Sequence, residues 1–345
     1  MMKAPPPPLQ PDRSSVVRIL AARQVAEYAH LLAHFDLGKE PANVFNPHYV
    51  QRARARRTGP PAAPAMMAPT RHYGAFHRAY RAASGRATLP LLPIAAETPA
   101  GFRAVAEGLM SDTAPPDLPS GTRRALAPLS DAAGKKLVRV LLDLMDEESR
   151  EFFDAHWLSG ATVLGDDASG MDSYLGEHLV PLISPIFGGV PQRLVLFPAE
   201  AIGSRCWSLQ PDVGVHHVAV SPVLKTAYYQ VLLALMKART DRLLRPFIPE
   251  PLKTRPDDPI AQQMRTDAAM TALYHFMQRF RGERIDEFRA WILRQFENTQ
   301  RLPTAALEAL QPMALIPEEA RPAVQSMLAS IPLVAPAPGT RGGLV

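Results

Sequence analysis

One cysteine, Cys206, occurs in 345 residues, so an intramolecular disulfide is excluded and the fold does not rely on oxidative cross-linking. Long hydrophobic runs are equally scarce. The longest strictly apolar stretch is VLLALM at 231–236, far below the roughly 20 residues that span a bilayer. The opening MMKAPPPPLQ runs into prolines and has no apolar segment of the roughly 7–15 residues that a secretory signal needs. The sequence therefore predicts a soluble chain with no membrane partner, either cytoplasmic or delivered by a route without a cleavable signal peptide.

Familiar chemical motifs are missing too. There is no G-x-G-x-x-G, and DAAGKK at 131–136 lacks both the earlier glycine and the trailing hydroxyl of a phosphate-binding loop. No G-x-S-x-G elbow and no kinase H-R-D or D-F-G set occurs. A lone cysteine cannot build a zinc ribbon. Nucleotide-dependent and common hydrolase chemistries are disfavoured on these grounds.

Acidic residues are sparse at one end. Residues 1–90 hold 13 Lys+Arg and 4 Asp+Glu, a net of +9, while the other 255 hold 25 and 29, a net of −4. This asymmetry predicts a basic arm joined to a mildly acidic body. Proline, by contrast, is abundant: 36 of 345, about twice average usage. Short helices broken by rigid loops follow, because proline interrupts helix interiors and sheet ladders.

Along the chain we read a Pro-rich disordered tail at 1–13, a basic helical arm at 14–90, a mostly helical body at 91–334 and a second disordered tail at 335–345. The first helix is expected to start at Ser14 or Ser15 and stop at Gly38. Asn46-Pro47 signals another start. Helical patterns recur at 71–84, 99–110, 130–157, 222–245, 260–281 and 283–298. Leu137, Leu141, Leu142 and Met145 mark one buried stripe; Leu273, Phe276, Met277 and Phe280 mark another; Ile285, Phe288, Ile292 and Phe296 mark a third. QRLVLF (192–197), RCWSL (205–209) and VHHVAV (215–220) predict a small antiparallel β meander. The fold class is mainly α, α+β on a strict count.

Glu27, His30 and His34 return to one face of the first helix, and His at i and i+4 can share a metal ion. The apolar residues Val17, Leu20, Tyr28, Leu31, Leu32 and Phe35 group on the other side. Arg23 supplies Glu27 with an i,i+4 partner, and the residue after the first His is Leu31 where a zinc protease needs Glu. The stripe reads as the solvated side of an ordinary helix. A divalent metal site is the alternative, if another segment packs over it; otherwise no cofactor is implied.

His216 and His217 adjoin in a strand and point to opposite faces, one toward the helical layer and one toward solvent. His216, with His178 as a neighbour, is the weak candidate for a catalytic base. Cys206, His216 and Asp212 would form a nucleophile–base–orienter set, though a lone cysteine is usually inert core. GDDASGMD at 165–172 lacks the alternating ligands of a calcium loop and reads as a turn.

Arg52, Arg54, Arg56, Arg57, Arg71, Arg78 and Arg81 form the basic candidate binding set, reaching nucleic acid through residues 46–86. Within 71–84 the aromatics Tyr73, Phe76 and Tyr80 oppose the arginines, so the helix docks an apolar face on the body or on a partner. The first reading is a non-enzymatic protein-interaction protein, in one version a bacterial effector-type protein acting on another protein. The alternatives are a metal- or His-dependent hydrolase and non-specific nucleic-acid binding.

Overall fold

The computed structural model describes residues 16–34, 46, 48, 49, 51, 72–111, 118–154, 157, 170–187, 192–203, 206–244, 246, 259–280, 282–296, 318 and 321–330. The tails at 1–13 and 335–345, most of the turn at 165–172, and Arg52, Arg54, Arg56, Arg57 and Arg71 lie outside them.

Among the described residues four strands form one mixed sheet: β1 (Val17–Ile19), β2 (Arg193–Pro198), β3 (Trp207–Asp212) and β4 (Val215–Val220), in the order β1-β2-β4-β3. The chain is mainly helical around this sheet, so the α+β expectation holds. The antiparallel meander does not. β3 and β4 are an antiparallel hairpin, but β2 lies on the far side of β4 and runs parallel to it, Leu194 opposite His216 and Leu196 opposite Val218. The hairpin turn is Val213-Gly214, and Gly214 takes φ 79°, a left-handed value that glycine adopts without a Cβ penalty. Strand identity follows from local composition, whereas the side on which β2 docks is set by the helices that cover it.

β1 is a second departure. A helix was expected from Ser14 or Ser15, yet Val17–Ile19 pair parallel with Leu194–Leu196, and the helix starts only at Arg23. VVRIL is rich in β-branched residues, which suit a pleated surface. The residues read as an arm thus enter the sheet itself.

Side chains alternate along β2. Val195 and Phe197 face one core with Leu209 and Ala219; Leu194 and Leu196 face the other with Val218 and Val220. Both faces are covered, which is why LVLF is an unbroken apolar run. The first core takes α1 (Arg23–His34), α2 (Tyr73–Ala82), α3 (Pro99–Ser111), α4 (Ser120–Leu126) and α5 (Ala132–Glu148). The second takes α6 (Val180–Phe187), α7 (Leu224–Leu244), α8 (Pro259–Phe280), α9 (Ile285–Phe296) and α10 (Arg321–Ser330).

Local signals place several elements as read. Asn46 Oδ1 accepts from the backbone of His48 and Tyr49, an N-cap. Ser221 Oγ accepts from Val223 N ahead of α7, and Asp131 Oδ1 accepts from Gly134 N at the start of α5, 2.6 Å away. Leu137, Leu141, Leu142 and Met145 are buried, as are Leu273, Phe276, Met277, Phe288 and Ile292. α2 buries Phe76 and Ala79 and keeps Tyr73 and Tyr80 half-buried against the first core. Its apolar side therefore docks on the body, chiefly on α5.

Candidate functional site

α5 ends in Asp146-Glu147-Glu148, three carboxylates in succession where the helix gives way to a π-helical turn. Each is answered from a different element. Arg103 of α3 bonds Asp146, with Nη1 3.3 Å from Oδ2. His72, just ahead of α2, donates its backbone N–H to Glu147 Oε2 at 3.1 Å and places Nδ1 2.9 Å from the same oxygen. His30 of α1 places Nε2 3.2 Å from Glu148 Oε1. Four helices meet at this knot.

The innermost pair is the most buried. His30 and Glu148 are both 0% exposed, and the second ring nitrogen, Nδ1, lies 2.7 Å from the Tyr49 hydroxyl. The order is carboxylate, imidazole, hydroxyl. With Nε2 protonated and Nδ1 accepting from Tyr49, the neutral ring is satisfied on both sides; doubly protonated, it becomes the cation partner of Glu148. A carboxylate in this environment needs such a partner, since an unpaired buried charge costs several kcal/mol.

Beyond Glu148 the helix continues as a π-helical turn, Ser149–Phe153, a form found mostly as single turns and often at functional sites. The Phe153 ring lies 5.4 Å from His30 and stacks on Trp157. Arg23 spans the rim: it bonds Ser149 and Asp154, lies over Phe153 at 5.9 Å, and approaches Glu27 Oε2 at 3.9 Å. Glu27 is itself buried. Burial pushes its carboxyl up to about 7, against the attraction of Arg23. Bonds to Ser149 and Arg23 hold the Asp154 carboxyl below the usual range.

The stripe expected to be wet is buried at Glu27 and His30. Over residues 23–31 α1 is enclosed on nearly all sides, with Gln24, Glu27 and His30 buried alongside Val25, Tyr28 and Leu31, so there the polar stripe does not mark a solvent side. Among the described residues no three His, Cys, Asp or Glu side chains converge as metal ligands. Glu27 faces Arg23 at the rim and His30 spends both nitrogens inside; the His34 side chain lies outside the described residues.

The remaining candidates stand apart. His216 and His217 do point to opposite faces, but both are buried because helices cover both sides. His216 Nε2 lies 2.8 Å from Gln192 Oε1 and His217 Nδ1 lies 2.7 Å from the Ile94 carbonyl. Burial, helped by Arg242, pushes His216 down to about 4, and burial lowers His217 despite that carbonyl. Cys206 donates to the Gln230 carbonyl at 3.5 Å, and burial raises its thiol to about 11, far from a ready thiolate. Cys206 precedes Trp207, which pairs with Ala219, three strand residues or roughly 10 Å along β4 from His216. Asp212 accepts from Val213 N at the hairpin. The Cys206–His216–Asp212 set is not assembled. His178 packs against Tyr174, ring centroids 4.5 Å apart.

Tyr49, His72, Arg103, Asp146, Glu147 and Glu148 were not singled out from sequence. Their signal is DEE at the end of a strongly patterned stretch, three adjacent acids that repel one another and so call for cations from elsewhere. No described helix is long and apolar enough to cross a membrane. Comparison with protein-family models, with curated proteins and with solved structures finds no match to this chain.

Proposed function

We propose that this chain is a protein-interaction protein that engages an acidic surface on another protein through its basic N-terminal region. The observation that carries the reading is the orientation of α2. Its apolar side is taken by the first core, and Arg78 and Arg81 remain exposed on a helix that contains no acid. What that helix offers a partner is therefore cationic. The acid-poor stretch bearing Arg52, Arg54, Arg56, Arg57 and Arg71 adjoins it in sequence. The buried Glu148–His30–Tyr49 chain, which a His-dependent hydrolase would draw on, acts in this reading as a clasp between helices. An effector-type role, in the cytoplasm or after delivery without a cleavable signal peptide, belongs to the same proposal.

The test is binding of the purified chain to a labelled oligo-glutamate peptide and to a DNA duplex, at low and moderate salt, beside an Arg78→Glu/Arg81→Glu variant. Peptide binding that weakens about tenfold or more in the variant supports the reading, each cation contributing on the order of 1 kcal/mol. Duplex binding with a steep salt dependence, and none to the peptide, transfers the surface to nucleic acid. Binding to neither probe overturns it.

A further inference from the structure

Arg23 stands between two carboxylates of different character. Glu27, one turn on along α1, is buried, with Oε2 3.9 Å from the guanidinium. Asp154, just past the π-helical turn, is half exposed, bonded to Arg23, and accepts from Ser149 Oγ at 2.7 Å. Arg23 also bonds Ser149 and covers Phe153, whose ring covers His30. One side chain therefore pins the turn, and the turn caps the His30–Glu148 pair.

We propose that Arg23 is a latch on the π-helical turn, holding it over His30 and Glu148 while Glu27 is neutral and releasing it when Glu27 ionises. The charges facing Glu27 are Arg23 from α1, Asp154 from behind the turn, Arg103 from α3 and Asp146 from α5. Arg103 is committed to Asp146. An ionised Glu27 therefore draws on Arg23, in competition with Asp154 and Ser149, and the turn loses its pin. Burial keeps the Glu27 carboxyl near 7, which places the exchange around neutral pH. A π-helical turn is a suitable hinge because its wider ring is locally less favourable than the α-helix before it.

The experiment is amide hydrogen exchange over residues 149–154 at pH 6 and pH 8, corrected for the intrinsic pH dependence of exchange. Wild type, Glu27→Gln and Asp154→Asn are compared, with amides 137–145 of α5 as the internal reference. The latch predicts that wild-type protection of 149–154 falls about two- to fivefold at pH 8, the size of one exposed ion pair. Glu27→Gln stays protected at both values, and Asp154→Asn is equally weak at both. Equal wild-type protection at the two pH values overturns the latch. So does a Glu27→Gln variant that follows wild type, or exchange at 149–154 as slow as at 137–145, the mark of global unfolding, which loss of the Glu27 proton promotes as well.

Discussion

A carboxyl group buried without a close hydrogen-bonded cation keeps its proton to higher pH, and Glu27 shows what that does to stability. Its value in the fold, about 7, exceeds the ordinary 4.5. The folded chain thus holds this proton more tightly than the unfolded chain, and the associated stability is fully present below about 4.5 and lost as pH rises through 7. The loss is on the order of 3 kcal/mol, from about 1.4 kcal/mol per pH unit. Glu27→Gln has no such proton to lose. Urea unfolding should therefore show the variant gaining on wild type by about 2–3 kcal/mol between pH 5 and pH 8; parallel curves across that range would contradict it. The residue itself was legible from sequence and its surroundings were not. Its spacing with His30 came from the helical period, but a period shows which residues share a face, never what covers that face.

At the scale of the element, α4 packs hard against the sheet. A Cβ placed on Gly121 would lie 2.2 Å from the Gln210 carbonyl oxygen and 2.6 Å from that of Pro211, so the start of α4 rests directly on the backbone of β3. Gly121→Ala must push the helix or the strand aside. We expect a loss of about 1–3 kcal/mol, the usual cost of overpacking, measured by chemical denaturation, although alanine is the better helix former. A neutral or stabilising result would mean that α4 lifts freely. The long helices were readable because their buried stripes repeat every three to four residues. β1 was not, since Val17 and Leu20 also fit a helical stripe and the competing choice is a strand far along the chain. The parallel docking of β2 on β4 was hidden for the same reason, as was the burial of both His216 and His217. The DEE knot escaped because its cations come from α1, α3 and the residue before α2, and no local pattern connects them.

At the scale of the whole molecule, β1 caps the β2 edge of a sheet whose two faces belong to two cores. Removing residues 1–22 would strip Val17 from the second core and break the Arg18–Glu97 ion pair. It would also leave the outer edge of β2 open, and an exposed apolar edge strand recruits other chains. The truncated chain should melt at lower temperature and form higher-mass species by light scattering after size exclusion. A monomer with unchanged melting would show that β1 contributes nothing to closure.

The pairing of Val17 with Leu194 joins positions 177 residues apart, 194 minus 17. During synthesis at about 5–20 residues per second, the first strand leaves the ribosome roughly 10–35 s before its partner exists. The N-terminal segment must stay uncommitted through that interval, while the helices of the first core are already being made. Completion of the sheet then reports that translation has passed residue 220, and a nascent chain stalled before residue 193 would keep its first strand accessible to chaperones and proteases.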